Sequence, residues 1–202
     1  KHPSGRVVPG IDCYRAVCAH AAAHIMETTS AFKGDQLNPL QVACVSLIED
    51  LRVELNTIKK FPGMKKLWIA LHPEDEDLKE LNPFILDLVD LSRLALDSKY
   101  NAKQSFNKDF FKLFNSKIKM SDNSSEVSFE LGLKYYEIIK SETDVKISAS
   151  ALVSAPISYR DDNRYIWEYE DLDWVSEGND YVPASQRQVR RKANIMEMYN
   201  EL

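Results

Sequence analysis

One stretch, residues 47–54, constrains the fold more than any other part of the chain. It reads Leu-Ile-Glu-Asp-Leu-Arg-Val-Glu and places four charged residues inside a strongly apolar pattern. At 100° per residue, the surrounding segment 41–60 carries two apolar stripes, one mainly of leucines and one of valines. A helix that is apolar on two sides packs between other helices. Its charges must therefore be paired, bound to a metal or hydrated, because an isolated buried charge is too costly.

The four charges fall at different places around this predicted helix. Glu49 and Arg52 lie among the valines, whereas Asp50 and Glu54 lie on a flank of the leucine stripe. The i, i+3 spacing of Glu49 and Arg52 favours an ion pair, and a guanidinium suits buried multidentate pairing. We therefore interpret Arg52 as a bridge between Glu49 and a second acid. The alternative is a polar pocket shared with two histidines of the preceding helix.

Those histidines, His20 and His24, are separated by three alanines. Two histidines at i and i+4 on a helix project to one side and can bind a metal ion. The small alanines permit a neighbouring helix to approach closely. A carboxylate from the central helix, Glu49 or Glu54, would be the third ligand. The pattern thus predicts a candidate site for a divalent metal such as zinc at His20, His24, Glu49 and Glu54.

A hydrolytic role is weakened because the general base of the zinc-peptidase motif is missing at its usual position. Zinc peptidases place a glutamate directly after the first histidine, and here that position is Ala21. The alternative interpretation is architectural: the histidines bond to buried carboxylates or to Tyr14 and lock two helices together. The predicted buried polar network then consists of His20, His24, Glu49, Asp50, Arg52 and Glu54.

Composition excludes several classes of function. The net charge of −5 argues against a surface built for nucleic acid, and no apolar run approaches the roughly 18 residues of a membrane span. The chain contains no Walker loop, dinucleotide fingerprint or Gly-x-Ser-x-Gly elbow. Three cysteines, each inside an apolar helical pattern, indicate small buried thiols in a reducing cytoplasm.

The pattern of apolar residues predicts a mainly α, multi-helix bundle over residues 1–154. Asn38-Pro39 and Asn82-Pro83 are typical helix starts. A first helix is predicted from Asp12 to about Phe32, and its apolar stripe, expected to face the core, comprises Tyr14, Val17, Cys18, Ala21 and Ile25. Residues 155–184 form an aromatic, acidic arm or linker: either a β-hairpin turning at Asp162-Asn163 or an extended segment on the helical body. A basic helix follows over 185–202.

Two of these runs together resemble a known family. The sequence is similar to the N-terminal region of the NorD/CbbO proteins in three places. These are the helix with Tyr14-Arg15-Ala16 and His20–His24, the run Leu47–Glu54, and the succession Phe61-Pro62-Gly63, Leu67-Trp68 and Leu71-His72. The segment Trp167-Glu168-Tyr169 with Asp173 and Tyr181 resembles the stretch that leads into their second domain. The likeness is best over residues 9–72.

The resemblance implies a particular kind of function. Such proteins pair an N-terminal helical region with a von Willebrand factor A domain and work with a hexameric MoxR-type AAA+ ATPase. Their clients are either Rubisco or nitric oxide reductase, which is a metalloenzyme. The chain contains no Asp-x-Ser-x-Ser metal site, so we expect the A domain beyond Leu202. The leading expectation is a non-enzymatic adaptor domain, and the second is a metal-binding, degenerate metallopeptidase-like domain centred on His20 and His24.

Overall fold

The computed structural model describes residues 8–73, 78, 81–120, 124–143, 157–161 and 163–168, all within the unit Lys1–Tyr169. The α-helices of this part are α1 (Gly10–Glu27), α2 (Pro39–Lys60), α3 (Gly63–Ile69), α4 (Pro83–Leu96), α5 (Ser105–Met120) and α6 (Ser125–Glu142). Two short strands, β1 (Phe32–Lys33) and β2 (Trp167–Glu168), pair in parallel. The prediction of a mainly α bundle is confirmed. The predicted basic helix over 185–202 lies outside the described residues.

Helix α2 is the axis of the fold, as its two apolar stripes predict. Asn38 caps it by accepting hydrogen bonds from the backbone N–H groups of Leu40 and Gln41, and Pro39 occupies the first turn. Its most extensive packing is against α6, followed by α1 and α4. The main core lies between α2, α4, α5 and α6, and a second cluster joins α1 and α3 to Ile157 and Tyr159.

Helix α1 is rotated relative to the prediction, and the expected inward stripe was wrong. Tyr14 and Ile25 are 68% and 84% exposed, whereas His20 and His24 are buried. Cys18 lies on the outer face too, so the prediction of buried thiols fails for this cysteine and holds for Cys44. The physical reason is that the buried carboxylates of α2 need polar partners, and pairing them outweighs covering a moderately apolar stripe.

Both predicted ends of α1 also need correction. Its N-cap is Pro9, and Asp12 lies in the first turn, where it accepts a hydrogen bond from Arg15. The helix ends at Glu27 and not near Phe32, because Thr28 adopts an extended conformation and turns its hydroxyl toward Glu49. Phe32 instead belongs to β1 and packs against Trp167 of β2.

A buried cluster of hydrogen-bonded polar groups connects α4 to the segments around it. The side chain of Asp90 accepts hydrogen bonds from Tyr100, from Asn107 and from two backbone N–H groups. Asp87 is one turn earlier and accepts a 2.9 Å hydrogen bond from the hydroxyl of Thr143, which follows α6. Burial raises the pKa of Asp87 to about 6, and neighbouring Asp90 acts in the same direction.

Asp87 therefore predicts a measurable pH dependence of stability. Because its pKa in the folded state lies above the unfolded value of about 3.9, protonation of Asp87 stabilises the fold. This contribution to stability is complete below about pH 4 and is lost as the pH rises through 6. We expect Asp87→Asn to exceed the wild type in stability by roughly 1–2 kcal/mol at pH 7.5. The difference should shrink as the pH falls to 4.5, measured by urea denaturation at each pH. A difference that is the same at both pH values would contradict this assignment.

Candidate metal centre and buried ion-pair network

Two histidines of α1 and one carboxylate of α2 converge in the interior. His24 Nε2 lies 3.1 Å from Asp50 Oδ1, and His20 Nε2 lies 3.7 Å from the same oxygen. The two rings meet edge to face, with centroids 4.8 Å apart. One ligand atom from each of the three residues lies within 4.8 Å of the others, and all three residues are buried. This group can hold a metal ion.

Glu54, one turn after Asp50, is paired from two directions. Its Oε1 lies 3.1 Å from His20 Nδ1. Arg160 binds it bidentately, with Nε–Oε1 at 2.8 Å and Nη2–Oε2 at 2.6 Å. Burial opposes ionisation of Glu54, but Arg160 and His20 outweigh burial and lower its pKa to about 2. Charged neighbours also outweigh burial at His20: burial lowers its pKa, but Glu54 and Asp50 together raise it above the usual value. Glu54 is therefore a buried carboxylate anion.

Asn163 completes the surroundings of Asp50. Its Nδ2 donates a 2.6 Å hydrogen bond to Asp50 Oδ1. The residue adopts a left-handed backbone conformation with φ of 52°, which asparagine tolerates better than most residues. Its own N–H donates to Asp161 Oδ1 at 2.9 Å, which fixes the turn. The segment that follows α6 thus reaches back to α2 through both Arg160 and Asn163.

A second buried cluster lies beside the first and joins three helices. Arg52 binds Glu49 bidentately, with distances of 2.8 and 2.6 Å, and donates to the backbone oxygen of Glu27 at 2.7 Å. Glu49 also accepts hydrogen bonds from the hydroxyls of Thr28 and Ser125. Burial opposes ionisation of Glu49, but Arg52 outweighs it and lowers its pKa. The predicted Glu49–Arg52 pair is thus present, and it ties the end of α1 to the start of α6.

The predicted site residues divide between these two clusters. All six members of the predicted polar network are buried. Of the residues named as metal ligands, His20, His24 and Glu54 lie in the first cluster, whereas Glu49 lies with Arg52. Asp50 Oδ1 lies near the Nε2 atoms of both histidines, a ligand position that the sequence did not assign to Asp50. Tyr14 is exposed on the outer face of α1 and does not bond to them.

Sequence reasoning assigned neither Arg160 nor Asn163 to the site, and Asn163 was predicted only as part of a turn. A charge count indicates a partner such as Arg160, since the run 47–54 contains three acids and one arginine and a further cation must come from elsewhere in the chain. Nothing in the local pattern said which cation. Tyr159, buried between Trp68, His72 and His20, was likewise placed only on the arm.

Comparisons with protein-family models, with curated proteins and with solved structures find no match to this chain. The resemblance to the NorD/CbbO proteins stays a prediction. Within the described residues, no helix combines the length and the apolar character needed to cross a bilayer.

Proposed function

We propose that this chain is a cytoplasmic, non-enzymatic adaptor domain that docks on a hexameric MoxR-type AAA+ ATPase through the outer face of α1. The ATPase is named from the resemblance to the NorD/CbbO proteins, and the docking face from the structure. In this proposal the domain links the ATPase to a client enzyme, a metalloenzyme or a Rubisco-like complex, which the ATPase activates or matures.

The observation that carries the proposal is the exposed apolar face of α1. Among the described residues, five of the eight large apolar side chains on the surface belong to this one helix: Ile11, Tyr14, Val17, Ile25 and Met26. The residues at 11, 14, 18, 21, 22 and 25 follow the i, i+3, i+4, i+7 spacing and include no charge. Their stripe is about 21 Å long at 1.5 Å per residue. An uncharged helical stripe of this kind suits insertion into a groove of a partner protein.

The buried centre supports a non-enzymatic role. His20, His24 and Asp50 are each no more than 5% exposed, so a substrate cannot reach them in this conformation. The residue after His20 is Ala21, which cannot act as a general base. Two histidines and a carboxylate favour zinc among the divalent ions. We propose that zinc bound there has a structural role, which disfavours the metallopeptidase-like alternative.

The docking face is tested by placing a charge on it. Tyr14→Asp/Ile25→Asp should leave stability within about 0.5 kcal/mol of the wild type, because both side chains are exposed. Binding to a MoxR-type ATPase hexamer from the same organism should fall at least tenfold, measured by size-exclusion chromatography and by the change in ATPase rate. The matched control is Met120→Asp on α5, where the side chain is 83% exposed, and it should bind normally. Full binding by the double variant would refute the assigned face, and a wild-type chain that does not bind the hexamer would refute the function.

A further inference from the structure

We infer that His20, His24 and Asp50 bind one divalent metal ion, zinc by their chemistry, through the Nε2 atoms of both rings and Asp50 Oδ1. The inference does not depend on docking to an ATPase. It rests on the directions of the hydrogen bonds around the two rings and on the burial of the group.

The hydrogen bonds of Thr28 fix the orientation of His24. Thr28 donates its only hydroxyl proton to Glu49 Oε1 at 2.9 Å, and the Glu49 carboxylate accepts two hydrogen bonds from the guanidinium of Arg52. The contact of 3.0 Å between Thr28 Oγ1 and His24 Nδ1 must then be donated by the ring. A neutral His24 therefore directs the lone pair of Nε2 at Asp50 Oδ1, 3.1 Å away. Two acceptors at this distance repel each other unless a cation lies between them.

His20 has the same arrangement as His24, with a proton on Nδ1 and a lone pair on Nε2. Its Nδ1 faces the carboxylate of Glu54, which accepts two hydrogen bonds from Arg160, so a neutral ring carries its proton on this side. Its Nε2 lone pair then faces Asp50 Oδ1 at 3.7 Å. Both rings thus present an acceptor to one carboxylate oxygen. Asp50 Oδ1 also accepts a hydrogen bond from Asn163, and a cation at the point where the three acceptor atoms converge would remove the repulsion between them.

A metal ion supplies that charge better than ring protons do. Neither nitrogen of His20 forms a well-aligned hydrogen bond with any described residue, although the side chain is 1% exposed. The charge of an imidazolium at His20 would be balanced by Glu54 and Asp50, but its N–H groups would be aligned with neither carboxylate, whereas a metal ion needs no N–H group at Nε2. Ligand atoms 2.0–2.1 Å from a tetrahedral zinc ion lie about 3.4 Å apart, close to the two histidine–Asp50 separations of 3.1 and 3.7 Å; the ligand atoms of the two histidines lie within 4.8 Å of each other.

The surroundings of the rings also match those of metal-binding histidines. Such histidines direct the other ring nitrogen at a carboxylate, a carbonyl or another acceptor that fixes the tautomer. Thr28 does this for His24, and for His20 the carboxylate of Glu54 lies 3.1 Å from Nδ1, where a small rotation would align the hydrogen bond. Both partners are themselves held, Glu54 by Arg160 and Thr28 by Glu49. The acceptors needed to orient two Nε2 ligands are thus already in place.

The test is the metal content and the metal dependence of the chain purified without a histidine tag. We expect stoichiometric zinc by mass spectrometry, a fall in Tm after dialysis against a chelator, and recovery of Tm when zinc is added back. Asp50→Asn and His24→Gln should each lose the zinc. His72→Gln is the matched control: His72 is also a buried histidine, but it contacts Tyr159 and lies outside the group, so this variant should retain zinc.

Cobalt binding keeps the test decisive if the variants fail to fold. Titration of Co²⁺ into the chelator-treated wild-type chain should produce the strong visible absorption of a four-coordinate site. A wild-type chain that is purified without metal, gives no such spectrum and keeps its Tm when zinc or chelator is added would overturn the inference. Zinc retained in full by a folded Asp50→Asn variant would overturn it too.

Discussion

Arg160→Met is expected to destabilise the fold by about 3–5 kcal/mol, because it removes the bidentate partner of a fully buried carboxylate. The methionine retains most of the side-chain volume, so the loss reports mainly on charge. Glu54 would keep the contact with His20 but lose its guanidinium partner, and Asp50 would lose the guanidinium nitrogen 3.6 Å away. Urea denaturation monitored by tryptophan fluorescence would measure the effect.

A double variant separates charge from packing. Arg160→Met/Glu54→Gln removes the arginine and the charge that it neutralises, so it should recover part of the stability lost in Arg160→Met. Lys112→Met is a matched control, since Lys112 forms an exposed i, i+3 pair with Asp109 and should change stability by less than about 1 kcal/mol. If the double variant is no more stable than Arg160→Met, the buried pair does not have the energetic role assigned to it.

The second large effect is expected at Gly132, where α6 crosses α2. A Cβ atom on Gly132 would lie 2.4 Å from the Cα and 2.7 Å from the Cγ2 of Val45. The Cα atom belongs to the backbone and cannot rotate away, so the two helices would have to separate. We expect Gly132→Ala to destabilise the fold by about 3 kcal/mol, although alanine favours a helix by about 1 kcal/mol over glycine.

Gly63 is the matched control for Gly132. It lies at the start of α3, and a Cβ atom there would meet nothing within 4 Å. Gly63→Ala should therefore be neutral or stabilising by up to about 1 kcal/mol. Thermal denaturation of the two variants side by side would decide the matter. Equal effects of the two substitutions would show that the α2–α6 distance adapts to a methyl group.

The sequence predicts the helices better than it predicts their orientation. Local signals are sufficient for the starts of α2 and α4, where an asparagine cap and a following proline determine the boundary. They are insufficient for α1, because its apolar stripe and its histidines compete for the interior. The outcome depends on the carboxylates of α2, which lie at a distance in the sequence. Apolar periodicity alone therefore chose the wrong face of α1.

The sequence predicts the part of the candidate site that lies on α1 and α2, but not the part contributed by Arg160 and Asn163. Helical spacing brings His20 and His24 to one face, and the apolar surroundings of residues 47–54 require buried partners for the charges. Asp50 and Glu54 are both within reach of the histidines, and only side-chain geometry assigns Oδ1 of Asp50 to both rings. Arg160 and Asn163 come from an irregular segment, which has no periodic pattern that would indicate a partner.

The long sequence separation of the contacts at Glu54 and Asp50 has a consequence for folding. Arg160 and Asn163 are 106 and 113 residues away from their partners on α2. Helices α1 to α6 can therefore be synthesised before Arg160 and Asn163 are, so Glu54 and Asp50 lack these partners at that stage. Contacts this distant in sequence slow folding, because a long loop must close before they form. We expect the packing of the segment that contains Arg160 and Asn163 onto α1 and α2 to be a late event, so the carboxylate of Glu54 lacks its guanidinium partner until the chain reaches Arg160.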